Sequence, residues 1–283
     1  MRKTGLIIDS TVYIDESTIK QNDVGVVSLN VLEGDNVYKE TDITQQFVFD
    51  ELDAGKKLTT SQPSPELFKE AFNEKIKKGY EKILVITISK GISGTYQSAL
   101  LGKDMCNDAS KIHVFDTLNA GFGNELLAME ALRLIGESDD PSVVIKKMNT
   151  IIDSARLYFT VENLFSLQKG GRLSKKQALL GTVLRIRPII KLHEDGTLSL
   201  VHKERTRTRL MNYLVNNIKK DYENKSFIKV RIVNQLNDES VAELKRRLEE
   251  VFDNIDITVT NYIGPVFSIH IGKKGLGVTW YCE

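Results

Sequence analysis

Leu6, Ile7 and Ile8 form an unbroken apolar run that Asp9, Ser10 and Thr11 stop, the pattern of a short buried strand closed by polar turn formers. The run VGVVSLNV from Val24 to Val31 predicts a second strand. Further on, Ser64 stands at a capping position, Pro65 fits a first helical turn, Glu66 suits the helix dipole, and Leu67, Phe68, Phe72 and Ile76 recur at helical spacing. Together they predict a helix whose N-terminus faces a loop running from Thr59 to Pro63. KILVITIS (82–89) then reads as an apolar strand and KGISGTYQSALLGK (90–103) as a glycine turn feeding a helix. KIHVFDT (111–117) repeats the pattern, with the glycine-bearing LNAGFGN leading into the helix ELLAMEALRLIG (125–136). Strands alternating with helices predict a parallel sheet with crossover helices. Ligands of such sheets sit beyond the C-terminal ends of the strands.

The texture changes after about residue 150. RLYFTVEN (156–163) reads as a strand, and RPIIKLHEDGTLSLVHKER (187–205) as a hairpin around Glu194-Asp195-Gly196, a D-G turn between alternating residues. The helices TRLMNYLVNNIKKDY and ESVAELKRRLEEVF follow, with FIKVRIVN and IDITVTNYI as strands beside them. The prediction is an α/β protein of two domains. Residues 1–150 make an N-terminal parallel-sheet α/β domain, and residues 151–283 a C-terminal α/β domain with a mixed or partly antiparallel sheet. The boundary falls between Asp140-Pro141 and Ile152.

The length of 283 residues suits about two domains with cores of their own. Lys plus Arg is 39 and Asp plus Glu 38, so the formal charge is 39 − 38 = +1. That balance supplies no global field for a polyanion, and no nucleic-acid partner is expected. Cys106 and Cys282 stand far apart, outside any ligand-spaced cluster, which predicts neither a disulfide framework nor a metal site and fits a reducing compartment. Arg2 and Lys3 precede an apolar run too short for a secretion signal, and no stretch reaches the roughly 18 apolar residues of a spanning helix. A cytoplasmic protein without a transmembrane segment is expected.

Chemistry concentrates at strand-to-helix junctions. Ser93, Gly94 and Thr95 stand where KILVITIS hands over to a helix, so backbone N–H groups, the helix dipole and two hydroxyls favour an anion there; the competing reading is that Ser93 or Thr95 caps the helix. Thr60 and Ser61 occupy another such junction, and two loops aimed at one point make a cradle for a carboxylate or a phosphate. Neither GxxxxGK[ST] nor GxGxxG occurs, so no nucleotide cofactor is indicated. His270 lies in the glycine-dense IGPVFSIHIGKKGLG, which reads as a shaped loop, with a satisfied structural histidine as the alternative. In SLQKGGRLSKK, Gly170-Gly171 permits a tight turn among Lys169, Arg172, Lys175 and Lys176, a presented basic loop or a solvated helix start behind Ser174. The basic run from His202 to Arg209 fits a solvated strand end.

DST (9–11), TSQPS (60–64), SGTYQSA (93–99), VFDT (114–117), LQKGGRLS (167–174), IRPII (186–190) and GPVFSIHIG (264–272) occur in order along the whole chain. In these motifs the sequence resembles the DegV family, bacterial fatty-acid-binding proteins that act as the B subunit of fatty acid kinase. The resemblance implies a two-domain α/β protein that encloses a long-chain fatty acid and presents its carboxylate to a separate kinase subunit for phosphorylation. It is then a lipid-binding subunit of phospholipid synthesis with no catalytic residue of its own. By that resemblance Thr60, Ser61, Ser93, Gly94 and His270 hold the carboxylate, and Arg172 contacts the kinase or the transferred phosphate. One departure is visible: where the family tends towards His-x-Gly-Pro-Gly, this chain has His270-Ile271-Gly272-Lys273-Lys274-Gly275. The alternative function is a serine hydrolase built on Ser93, Asp116 and His270, in the Ser, Asp, His order of α/β-hydrolases. Its elbow is wrong, because Thr95 stands where G-x-S-x-G needs its second glycine.

Overall fold

A computed structural model describes residues 3–138, 140–162, 164–174 and 186–282; Arg2, Lys175 and Lys176 lie outside the described residues. The chain forms two compact units, Met1–Thr44 with Lys57–Asp153 and Gln45–Lys56 with Ser154–Glu283.

In the first unit β1 (Thr4–Asp9), β2 (Gly25–Val27), β6 (Lys82–Thr87) and β7 (Ile112–Asp116) make a parallel sheet in the order β2-β1-β6-β7. A parallel sheet covered on both faces needs apolar side chains pointing both ways, which is why these strands read as continuous runs. Leu6, Ile8, Leu84 and Ile86 pack with Leu127, Ala131 and Ile135 of α5 (Phe122–Glu137) and Met148 of α6 (Pro141–Ser154). Ile7, Ile83 and Val85 face the other way, onto Phe68 and Phe72 of α3 (Pro65–Lys77) and Ala99 of α4 (Thr95–Asp104). The short α1 (Glu16–Gln21) follows β1, its start capped by the Asp15 carboxylate.

VGVVSLNV is not one strand. It breaks into β2 and β3 (Asn30–Glu33), and β3 pairs with β4 (Asn36–Lys39) and β5 (Leu58–Ser61) in a separate antiparallel sheet. The break falls at Leu29, whose N–H goes to the Ser10 hydroxyl at 2.9 Å and whose carbonyl takes the Glu40 N–H at 2.8 Å, so neither sheet claims it.

The second unit is built on a six-stranded sheet in the order β10-β9-β8-β13-β11-β12, antiparallel except for β11 against β12. Its strands are β8 (Arg156–Thr160), β9 (Arg187–Leu192), β10 (Leu198–Glu204), β11 (Ile228–Gln235), β12 (Ile255–Thr260) and β13 (Gly275–Cys282). The expected hairpin is β9-β10, turning through Gly196 at φ 79° with His193 N–H bonded to the Thr197 carbonyl. β13 was not expected as a strand, yet it lies inside the sheet between β8 and β11 and carries the fully buried Trp280. Trp280 stacks on Tyr158 and donates Nε1–H to Asp221 at 3.0 Å, so its one polar atom is satisfied. One face of the sheet packs on Leu210, Leu214 and Ile218 of α8 (Arg207–Tyr222) and on Leu244 and Leu248 of α9 (Asp238–Val251). Phe159 and Ile190 cluster instead with Leu167 of α7 (Phe165–Lys169), Leu173 and Ile271.

The second unit also takes α2 (Gln45–Asp53) from the first half of the chain. Val48 and Phe49 bury its apolar face, and α2 packs against α10 (Pro265–Ile271). The chain therefore passes between units at 44/45 and 56/57 as well as at 153/154.

Candidate functional site

In the first unit the polar residues gather at the C-terminal ends of β1, β6 and β7. Asp9, fully buried, accepts hydrogen bonds from Thr11 N–H at 2.9 Å, Thr11 Oγ1 at 2.5 Å and Ile88 N–H at 2.6 Å. Burial pushes its carboxyl above the ordinary range, and the three donors oppose that shift. Asp116 accepts from Lys90 N–H and Leu118 N–H, both at 3.1 Å, with the Lys90 ammonium 3.4 Å away. Two carboxylates thus hold the loop that carries Ser93, which is tightened further by the bonds from Ile92 N–H and Ser93 N–H to the Ser89 carbonyl.

Ser93 Oγ lies 2.8 Å from Thr95 Oγ1 and accepts from Thr95 N–H at 3.3 Å. The residue at the helix cap itself is Gly94, which has no side chain to cap with, so the capping bond at the start of α4 is the one that the Ser93 hydroxyl accepts from Thr95 N–H. Gly94 is where the second segment arrives: a β-carbon placed there would stand 3.0 Å from the Gln62 carboxamide. The expected loop from Thr59 to Pro63 is only partly a loop, since Thr60 and Ser61 belong to β5. Backbone pairing with Asn30 and Val31 of β3 claims them, and Asn30 Nδ2 donates to Ser61 Oγ at 3.3 Å. Gln62, which sequence reasoning passed over, makes the junction between the two segments.

In the second unit the expected shaped loop around His270 is the helix α10. Its glycines and proline are start and stop signals: Gly264 is the N-cap, Pro265 the first helical residue, and Gly272, at φ 71°, the C-cap. His270 is buried in its last turn and packs on the backbone of Gly170, where a β-carbon would come within 2.8 Å of Nδ1 and 2.9 Å of Cε1. Arg172, half-buried, donates from Nη1 to the Gly170 carbonyl at 2.5 Å. Burial, helped by the positive charge of Arg172, pushes the His270 imidazole down to about 4, so at neutral pH it is uncharged and offers one N–H. Burial also lowers the Arg172 guanidinium from its usual value. His270, Gly170 and Arg172 thus form one cluster, and Ser93, Gly94 and Gln62 another.

The hydrolase alternative finds no support. Ser93 shares its hydroxyl with Thr95 rather than with a base, and Asp116 is taken up by Lys90 and Leu118. Among the described residues no group of three or more His, Cys, Asp or Glu is placed to hold a metal ion. No helix among them is long and apolar enough to cross a membrane. In the basic run, Arg207 pairs with Glu239 and, at 2.8 Å, with Glu243 of α9, and Thr206 caps α8.

The family model of DegV, described as a family of uncharacterised proteins, matches residues 3–283. The chain belongs to the DegV family. A DegV domain-containing protein of Halalkalibacterium halodurans is 30% identical over 285 residues, with 100% of both chains covered. Among solved structures, the fatty-acid-binding DegV family protein of Thermus thermophilus superposes with a TM-score of 0.88 at 25% identity, covering 99% of this chain and 100% of that one. A stearic acid-binding protein of Eubacterium ventriosum gives 0.86 at 26% identity, covering 100% and 98%. The two-domain α/β architecture of DegV proteins, with one parallel and one mixed sheet, is therefore the architecture of this chain.

Proposed function

We propose that this DegV protein binds one long-chain fatty acid and presents its carboxylate to a separate fatty acid kinase subunit, without turning the lipid over itself. The observation that carries the reading is the meeting of two hydroxyl-bearing segments at Gly94, at the start of α4, in a chain matched end to end by fatty-acid-binding DegV structures. Thr60, Ser61, Ser93 and the Gly94 backbone supply donors for a carboxylate, and His270 supplies one more as a neutral imidazole. Burying an acyl chain of roughly fourteen methylenes at about 0.8 kcal/mol each is worth on the order of 11 kcal/mol before association costs, so the tail supplies the affinity. Hydroxyl and imidazole donors each return about 1.5–3 kcal/mol to a charged head group, and they supply the specificity.

Ser93→Ala, Thr60→Ala and His270→Ala should each weaken retention of oleate by about 1–3 kcal/mol, measured by titration of delipidated protein. Unchanged affinity in all three, with circular dichroism intact, would place the head group elsewhere. In the same preparation, ATP, magnesium and oleate without a kinase subunit should give no acyl phosphate.

A further inference from the structure

α10 has seven residues, too few to hold a helical backbone by its own hydrogen bonds. It carries His270 in its last turn, so the position of the imidazole depends on whatever fixes this short element. One buried side chain does so from outside the helix. Gln235, at the end of β11 and 1% exposed, donates from Nε2 to Ser268 Oγ at 3.3 Å and to the Gly272 carbonyl at 3.1 Å. Those two groups flank His270 by two residues on either side.

The orientation of that carboxamide is itself set. Gln45, at the start of α2, donates from Nε2 to Gln235 Oε1 at 2.5 Å, which leaves the Gln235 NH₂ facing α10. Gln235 also pairs in register with Gly275, where a β-carbon would stand 3.2 Å from its own, so the strand that follows α10 lies against the same side chain. α2 is held over α10 a second time by Lys273, which pairs with Asp53 at 2.5 Å and lies over the Phe49 ring.

We propose that Gln235, oriented by Gln45, is a positioning residue that holds the α10 backbone on both sides of His270 and so places the imidazole for the bound carboxylate. The proposal rests on the assignment of His270 to the carboxylate site. An apolar replacement at 235 loses both bonds to α10. A carboxylate at 45 only accepts, so Gln45→Glu turns the Gln235 carboxamide round and sets its oxygen against the Gly272 carbonyl.

The test is a double-mutant cycle on full-length, delipidated protein titrated with oleate. Gln235→Leu is expected to weaken oleate binding about tenfold, and Gln45→Glu to weaken it in the same direction by a smaller factor. In a His270→Ala background neither change should cost anything further. By NMR, the His270 imidazole, assigned from the His270→Ala spectrum, should titrate at higher pH in Gln235→Leu than in the unaltered protein. Equal losses in the presence and absence of His270, or wild-type affinity in both Gln variants, would overturn the positioning role while leaving His270 in the site. Wild-type affinity in His270→Ala itself would instead remove His270 from the carboxylate site, and the positioning role with it. Should Gln235→Leu fail to fold, Gln45→Glu, at a half-exposed position, completes the same cycle.

Discussion

Gly170 and His270 show how a single missing side chain makes room for a buried imidazole. The imidazole lies so close to the Gly170 backbone that a β-carbon there would meet its ring nitrogen at 2.8 Å. The resulting burial removes the histidine's charge. In an unfolded chain the imidazole titrates at 6.5, and in this fold at about 4. Between those values the unfolded state binds more protons, so stability rises with pH across the window and falls as the solution is acidified through it. The loss between pH 7.5 and pH 5 should be about 2 kcal/mol, read from urea unfolding of the native protein against His270→Gln. The variant should lack that share of the loss, and parallel pH profiles would refute the assignment of the low pKa to burial of His270.

Among the elements, the turn from α10 into β13 carries the chain's departure from the family pattern. Where the family tends to have its second glycine, Lys274 stands at φ 60°, a left-handed conformation that costs a residue with a β-carbon about 1–2 kcal/mol. Lys274→Gly should relieve the strain, partly offset by the greater freedom of glycine in the unfolded chain, and raise stability by about 0.5–1 kcal/mol in denaturant titrations. Its pairing with Glu162, at 3.6 Å between two exposed side chains, is too weak to reverse that sign. A lower stability for Lys274→Gly would mean that the lysine side chain, not its backbone, matters at this turn. The neighbouring Lys273 has a use that the family's proline lacks, through its pairing with Asp53.

At the scale of the whole molecule, the proposed function implies that lipid binding and phosphorylation can be separated at Arg172. The guanidinium is half-buried and braced on the Gly170 carbonyl, and a planar fork of this kind suits a phosphate or an acidic partner surface. Arg172→Ala should retain oleate nearly as well as the unaltered protein yet fail to support acyl-phosphate formation when a fatty acid kinase subunit and ATP are supplied. Loss of lipid affinity and of turnover in equal proportion would make Arg172 a pocket or stability residue instead.

Continuous apolar runs such as Leu6–Ile8 and KILVITIS determined the parallel sheet by themselves, because burial on both faces leaves a signature that needs no knowledge of neighbours. The D-G hairpin at residues 195–196 was equally local, and so was the place of Ser93 and Gly94 at a strand-to-helix junction. β13 was not legible, because its glycines interrupt the apolar pattern and its place inside the sheet comes from pairing with β8 and β11, far away in sequence. Thr60 and Ser61 became strand residues for a similar reason, since β3 supplies the partners that make them so. Gln62, Gln235 and Gln45 carry no signal of type or spacing, and Gly170, legible as a turn former, gives no sign of its contact with His270. Their roles exist only where a distant backbone or carboxamide comes within contact, and that contact is decided by tertiary packing.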